Sequence, residues 1–178
     1  MKHFIAFILL LLAGSVTSAQ YKPVDEGSSV KFSIKNFGFN TAGSFTGLKG
    51  TIRFDPTNPA ESGFDVTLDA DKINTDNENR DEHLREETYF DVKNYPVIRI
   101  VSDRITSSNK AGTFVLFGKL TIKGKTRDIS FPFAAEPSGD GFTFKGDFKI
   151  NRRDFGIGGS STLSDNVDIF LEVVARKI

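Results

Sequence analysis

The stretch that decides the fold runs from Phe142 to Ile150 and reads FTFKGDFKI. Its apolar residues and Gly146 occupy every second position, while threonine, lysine and aspartate fill the positions between them. A period of two is typical of a β-strand with one dry face and one wet face. This is the cleanest alternation in the chain, and it predicts a β structure whose interior receives the phenylalanines.

The same alternation recurs along most of the chain and predicts about eight strands. They cover residues 28–39, 48–54, 64–70, 98–102, 114–122, 129–133, 142–150 and 167–173. Most are separated by short turns, and the glycines between residues 38 and 50 suggest bends that curve the sheet. We therefore expect an all-β fold in which antiparallel strands close into a barrel, with a two-sheet sandwich as the nearest competitor.

One segment, from Asn79 to Pro96, departs from this pattern and predicts a short helical crossover. Its first turn can be capped by a polar side chain at position 76, 77 or 79, and Asp81 and Glu82 lie near its positive end. Pro96 forces an extended return. A helix of roughly ten residues is marginal alone, so its apolar side chains should press it against the barrel; these are Leu84, Tyr89, Phe90 and Tyr95.

The amino-terminal segment, Met1–Ala19, is typical of a secretory signal peptide. Lys2 precedes an apolar run from Phe4 to Ala13, and small residues follow up to Ala19. That run is well short of the ~20 residues that span a bilayer, so we predict cleavage near Ala19 and no integral membrane segment. The remaining chain, residues 20–178, fits one domain that is exported to the periplasm or secreted.

Composition excludes several classes of function. The 178 residues contain no cysteine, which excludes disulfides, thiolate metal sites and thiol catalysis. Without Lys2 the chain carries a net charge of about −1, so no net field attracts nucleic acid. The chain has 18 phenylalanines, of which Phe4 and Phe7 lie in the signal segment; the remainder is a large apolar inventory for one domain.

Catalytic machinery is not visible in the sequence. His83 is the one histidine after the signal segment, and a polar, solvent-exposed helix face is the simplest interpretation of its acidic surroundings. One histidine without a second at ligand spacing is a poor zinc site. We predict no catalytic residue, no metal and no cofactor, and keep an enzyme acting on a lipid, with His83 as base, as an alternative.

The residues on the dry faces allow two interpretations: they fill the barrel, or they line a tunnel for an apolar tail. In the second case the alternation assigns the cavity wall to one set of apolar positions. These are Val30, Phe32, Ile34, Phe64, Val66, Leu68, Ile98, Ile100, Phe142, Phe144 and Phe148. A register error of one residue would invert the contribution of any strand.

Several segments in order resemble the YceI-like family of exported bacterial lipid-binding, or polyisoprenoid-binding, proteins. The most specific is NRDEHLR from Asn79 to Arg85, followed by YFD at 89–91 and YPVI at 95–98. Further matching segments are GKLTIKGKT at 118–126, RDFGI at 153–157 and LSDNV at 163–167. The resemblance covers essentially the whole chain after the signal segment.

This resemblance implies a lipocalin-like antiparallel β-barrel around a long apolar cavity that holds a polyisoprenoid or fatty-acid-like amphiphile. The family often has a histidine in the first strand where this chain has Asn36. Asn36 could still hydrogen-bond a head group, and Ser102 and Arg153 are further candidates for polar contacts. An ion pair with Asp154 or another surface acid is an equally good role for Arg153.

The sequence therefore predicts an exported carrier or scavenger of one amphiphilic lipid, such as an isoprenoid or fatty chain. A ligand-free structural or stress-protective barrel is the alternative from a different class. The identity of the lipid and a homodimer are left open.

Overall fold

The structure is a computed structural model that describes residues 19–159 and 162–178. Apart from Ala19, the predicted signal peptide lies outside these residues. In the described part, no helix is both long and apolar enough to cross a membrane. The strands are β1 (Gln20–Asn36), β2 (Phe39–Phe45), β3 (Lys49–Arg53), β4 (Gly63–Asp69), β5 (Val97–Ser107), β6 (Thr113–Ile122), β7 (Lys125–Ser138), β8 (Gly141–Asn151) and β9 (Leu163–Lys177). The helices are α1 (Glu78–Arg85) and short 3₁₀ turns at Pro59–Glu61, Ala70–Lys72 and Arg152–Phe155.

The strands form one antiparallel sheet that closes on itself. Its order runs from β1 through β3 to β9, and β9 pairs back onto β1. β2 and β3 lie one after the other along the same edge of β1: Val30–Asn36 pairs with β2, and Gln20 and Tyr21 pair with β3. The two therefore count as one interrupted side of an eight-sided barrel, which confirms the predicted fold and excludes the sandwich.

The interruption between β2 and β3 is held by Asp25. Its carboxylate accepts hydrogen bonds from the backbone N–H of Gly47 at 3.0 Å and of Leu48 at 2.9 Å. Gly47 has a φ of +85°, a conformation that glycine adopts without a steric penalty. Beyond this break, β2 has no further strand on its outer side among the described residues. Residues 70–96 lie there instead. Ser44 and Asn74 exchange two backbone hydrogen bonds there, at 2.8 and 2.9 Å.

The structure confirms the predicted helix cap and most of the predicted packing of the helical segment. Asn77 caps α1 by accepting a hydrogen bond from the Arg80 N–H at 3.0 Å. Leu84 and Phe90 pack against the barrel, where the Phe90 ring meets that of Phe45 edge-on at 5.4 Å. Tyr95 is 40% exposed, and its ring lies against Gly124 in the turn between β6 and β7. β5 begins directly after Pro96, as expected.

A second gap separates β7 from β8 at the same end of the barrel. These strands pair only between Phe133–Ser138 and Gly141–Gly146. Pro132 stands just outside this ladder, so its missing N–H leaves no gap in the hydrogen bonding between β7 and β8. The turn at Arg152–Phe155 packs near β7, and the buried side chains of Phe155 and Ile157 join the core there.

The two ends of the barrel are built differently. We call the end that carries α1 the helix end, and the end containing Phe54, Phe114, Phe133, Phe142 and Phe144 the packed end. At the packed end the Phe54 ring is 1% exposed. It meets the rings of Phe114, Phe142 and Phe144 edge-on at 5.1–5.2 Å. These edge-to-face contacts close the packed end with side chains.

Candidate functional site

A cavity of about 350 Å³ occupies the helix end of the barrel. Its wall is mostly aliphatic and aromatic, and polar side chains are few. This volume lies within the ~300–1,000 Å³ typical of small-molecule sites, which are largely apolar with a few placed polar groups. The helix end therefore contains a chamber suited to an apolar ligand.

Strand alternation builds this chamber. Phe32 and Ile34 of β1 point inward and stand opposite Ile169 and Val167 of β9 in the ladder. The lysines on either side of them in the sequence, Lys31 and Lys35, are exposed. The pleat alone thus puts apolar groups on the cavity wall and charges in water.

A second cavity of about 90 Å³ lies closer to the packed end. The two cavities share one band of wall residues, namely Val30, Leu68, Ile98, Ile100 and Leu171. Phe64, Phe133 and Phe144 line the smaller cavity, and the Phe54 cluster lies beyond it. A ligand tail thus has a main chamber at the helix end and a narrow extension that ends in packed phenylalanines.

The alternation placed the apolar wall correctly. Every predicted apolar position except Phe142 lines one of the two cavities. Phe142 packs into the packed end instead, with its ring 5.3 Å from that of Tyr21. Contact of these residues with a ligand stays a prediction.

Sequence reasoning missed a further part of the wall. The missed residues are Phe45, Leu84, Tyr89, Phe90, Leu120, Ile122, Ile150, Ile157, Leu163, Val167, Ile169 and Leu171. Those on β6, β8 and β9 follow the same alternation as the predicted ones and could have been included by extending each strand. Those on the helical segment carry no such signal, because their position depends on how residues 70–96 cross the barrel end.

The start of α1 is fixed over the chamber by a buried carboxylate. Asp81 accepts hydrogen bonds from the Thr75 backbone N–H at 2.9 Å and from the Thr75 hydroxyl at 2.5 Å. Arg80 donates to the Thr75 hydroxyl oxygen at 2.7 Å and to the Thr75 carbonyl at 2.5 Å. Thr75 and Arg80 both line the chamber, so this network forms part of its polar rim.

His83 also stands on the polar rim, with more than half of its side chain exposed. Its Nδ1 lies 3.0 Å from a carboxylate oxygen of Glu86, and its ring meets Tyr89 edge-on at 4.9 Å. Within the described residues, no group of three or more histidine, aspartate or glutamate side chains is arranged to hold a metal ion.

Asn36, the predicted polar contact, lines the chamber near the turn that joins β1 to β2. Its Oδ1 is buried and has no hydrogen-bond partner among the described residues. Leaving a buried acceptor unpaired costs roughly 1–3 kcal/mol. An unpaired acceptor at the wall of the chamber is available to a polar group that enters it.

Arg153 does not line the chamber, and Arg152 stands at its wall instead. Arg153 is exposed and pairs with Asp165, the surface role that the sequence also allowed. Arg152 is 2% exposed and donates to the carbonyls of Ile157 at 2.7 Å and Ser164 at 2.9 Å. The alternation held the signal, since position 152 continues the inward series that passes through Phe148 and Ile150.

Ser102 has a structural role. Its hydroxyl oxygen accepts a hydrogen bond from the Phe64 backbone N–H at 2.8 Å, at the point where the register of β5 against β6 shifts. The hydroxyl therefore ties β4 to β5 at an irregularity of the sheet. A ligand contact at Ser102 has no support in this arrangement.

The geometry defines a class: an antiparallel barrel, closed at one end by aromatic packing and hollow at the other. The chain matches the YceI-like domain over residues 21–175, and it belongs to the YceI-like family. The YceI protein of Salmonella arizonae is 32% identical over 161 residues, which cover 84% of this chain and 82% of that one.

Solved structures share the architecture. BcnA of Burkholderia cenocepacia superimposes with a TM-score of 0.78 at 27% identity, covering 83% of this chain and 96% of that chain. A polyisoprenoid-binding domain of Saccharophagus degradans, implicated in plant cell wall breakdown, gives 0.70 at 12% identity, covering 91% and 100%. At 12% identity the second likeness establishes the fold alone.

Proposed function

We propose that this protein binds one amphiphilic lipid, with an isoprenoid or fatty tail, inside the barrel and acts as a carrier or scavenger. The observation that carries the proposal is the unfilled apolar chamber of about 350 Å³ at the helix end. The chain has enough phenylalanine to close the packed end tightly, yet it leaves this volume open. The Saccharophagus domain, whose name states polyisoprenoid binding, has the same fold and is consistent with this function.

The tail supplies the affinity. Each buried methylene contributes ~0.8 kcal/mol, so a tail of about ten carbons contributes roughly 8 kcal/mol. Association costs roughly 4–15 kcal/mol, which a head group alone would not offset. Tail length, rather than head-group chemistry, should therefore set the affinity. A tail that exceeds the chamber must extend into the smaller cavity or out of the rim.

The proposal includes export. Cleavage near Ala19 would release a barrel that carries its lipid through the periplasm or outside the cell. Fractionation of the expressing cells, followed by an intact mass of the purified protein, tests this part. A chain that begins at Gln20 in the envelope fraction or the medium supports export, and an unprocessed chain in the cytoplasm contradicts it.

Native mass spectrometry of protein purified without detergent, followed by solvent extraction, tests the binding. We expect a discrete added mass that extracts as a lipid. The decisive variant is Phe32→Asp, which places a charge in the chamber, and the matched control is Phe170→Asp on the outer face of the neighbouring strand. Loss of the added mass in the first variant but not the control supports the chamber as the site.

Two results would contradict the proposal. One is a bare wild-type protein that takes up neither prenols nor fatty acids, which favours the ligand-free barrel. The other is retention of the lipid by Phe32→Asp with an unchanged circular dichroism spectrum.

A further inference from the structure

Two phenylalanines stand in water at the tip of the hairpin that joins β1 to β2. Phe37 is 74% exposed and Phe39 is 79% exposed. Most other phenylalanines among the described residues are buried or partly buried, Phe170 at 48% exposure being an exception, so two exposed rings on one turn depart from the pattern. Exposed aromatic clusters of this kind mark interaction sites.

The backbone at this tip is unfavourable for the residue it carries. Phe37 has a φ of +49° and Gly38 a φ of +84°. Two-residue hairpin turns with two positive φ angles favour asparagine followed by glycine, and a bulky residue at positive φ is a genuine outlier. The chain keeps phenylalanine where folding alone would select asparagine, which points to a role for the exposed ring.

The hairpin adjoins the rim of the chamber. The Phe37 N–H donates to the Thr162 carbonyl at 3.2 Å, and Thr162 lines the chamber. The preceding residue, Asn36, lines it as well. Tyr95 and Val97, also exposed, lie at this same end of the barrel. A partner that binds the rings of Phe37 and Phe39 would therefore lie directly at the opening of the chamber.

The charge of the hairpin is one-sided. No aspartate or glutamate occurs between Gly27 and Phe54, whereas Lys31 and Lys35 flank the tip. Lys35 is two residues from Phe37, roughly 7 Å along a strand. Asp165, on the neighbouring strand, already pairs with Arg152 and Arg153. The acidic side chains of α1, such as Glu78 and Glu82, lie at the same end of the barrel, so the positive charge is confined to the hairpin itself.

These features fit a lipid bilayer better than a protein partner. A stable protein interface buries roughly 800 Å² on each side, whereas two phenylalanine side chains supply about 150–250 Å² each. Aromatic rings beside lysine are the combination that anchors peripheral proteins at the headgroup boundary, where lysine is attracted to anionic lipids.

We propose that the β1–β2 tip, Phe37–Phe39 with Lys35, inserts into the surface of an anionic bilayer and sets the chamber opening against it for loading and release of the lipid. The loading and release of a lipid rest on the proposed function, whereas the membrane contact does not depend on it. Only the ring tips and Lys35 touch the bilayer, so the barrel docks reversibly.

Vesicle sedimentation tests the membrane contact. The protein is used as it is isolated from the expressing cells, with whatever processing they have carried out. The test variant is Phe37→Asn with Phe39→Thr. Asparagine tolerates the positive φ at position 37 and threonine is favoured in strands, so the melting temperature should not fall. The matched control is Phe170→Ser, which removes a 48% exposed phenylalanine from the outer wall. Vesicles are phosphatidylcholine with and without phosphatidylglycerol.

We expect roughly tenfold weaker partitioning of the double variant and no change in the control, because peripheral binding scales with the buried apolar area. Lys35→Glu should weaken binding to the phosphatidylglycerol vesicles only. The rate at which an NBD-labelled prenol moves from vesicles to the protein should fall in the double variant, while the affinity for the same prenol dispersed in buffer stays unchanged.

The outcomes separate the two proposals. The docking inference is overturned if the wild type and the double variant partition equally, or if neither binds vesicles. In that case the exposed rings of the tip would be assigned to a protein partner. Vesicle binding that depends on the tip, with no uptake of dispersed prenol, supports docking and contradicts the lipid-binding function.

Discussion

The two ends of this barrel use the same residues for opposite purposes. At the packed end, rings surround Phe54 at centroid distances of 5.1–6.3 Å, and the interior is closed. At the helix end, Phe32, Phe45, Phe90 and Phe148 form the wall of a chamber of about 350 Å³. Aromatic residues alone therefore do not decide between core and cavity. What differs is the filling: side chains around Phe54 occupy the packed end, whereas at the helix end the sheet has gaps beside β2 and between β7 and β8.

The largest expected effect comes from truncating the centre of the packed end. Phe54→Ala removes a buried ring from a rigid cluster, and such changes cost roughly 3–5 kcal/mol. Denaturant unfolding followed by circular dichroism measures the loss. A loss below about 1 kcal/mol would mean that the packed end relaxes around the missing ring and that the two ends differ less in packing than the contacts of Phe54 indicate.

Removal of the Asp81 carboxylate should loosen the helix end without unfolding the barrel. Asp81→Ala leaves the buried Thr75 N–H without its acceptor, which costs roughly 1–3 kcal/mol. Hydrogen exchange should rise in residues 70–96 and stay unchanged at the packed end. Equal exchange at both ends would show that the covering segment and the barrel unfold as one unit. Glu82→Ala, an exposed change one residue away, is the control.

A ring of the chamber wall should be worth less to stability than a ring of the packed end. Phe32→Ala faces a space that already lacks partner atoms, so we expect a loss of about 1–2 kcal/mol. Lipid retention should nevertheless fall, because wall area for the tail is lost. If Phe32→Ala and Phe54→Ala destabilise the protein equally, the chamber is collapsed in solution.

Asn36→Val should stabilise the lipid-free protein by roughly 0.5–1.5 kcal/mol, because it removes a buried acceptor that has no partner and adds a residue with high β propensity. Thermal unfolding of delipidated protein measures this change. Destabilisation would show that the Asn36 amide is paired in solution.

The smallest effect is expected on the outer wall. The Arg99 guanidinium hydrogen-bonds Asp65 at 2.6–2.8 Å and holds the pKa of that carboxyl below its usual range. Because the pKa is lower in the folded protein, the pair stabilises it above the ordinary aspartate pKa and loses this contribution as the pH falls through the lowered value. The pair is half exposed, so Asp65→Asn should cost less than about 1 kcal/mol. The difference from wild type should vanish in strong acid, as thermal unfolding at several pH values will show.

Local sequence predicted the strands and their inward faces well, because a period of two is set by the pleat itself. It did not predict that β1 begins at Gln20. The run Asp25-Glu26-Gly27 resembles a loop, but it is a bulge within β1, where the register against β9 shifts. The bulge places Asp25 against Gly47, which is 22 residues away, and such pairing has no local signature.

The sequence also left a filled barrel and a tunnel as equal alternatives. The filled barrel describes the packed end and the tunnel describes the helix end. Where the filled part stops depends on which residues of neighbouring strands pair with each other. That information is non-local: β7 and β8 separate after Phe133 and Gly146, although both strands alternate without a break. The place of Arg152 at the chamber wall could have been predicted locally, because it continues the inward-facing series of β8 through Phe148 and Ile150.

Residues 70–96 form one wall of the chamber without being part of the main ladder, to which they are joined by the hydrogen bonds between Asn74 and Ser44 of β2. A wall of this kind can change in length and sequence while the pairing of the strands is preserved. Substitution of its chamber-facing side chains, such as Leu84 and Phe90, would reshape the chamber while the strand pairing is kept, so this crossover is one place where ligand choice can be changed. It is also where a designer could graft a new specificity.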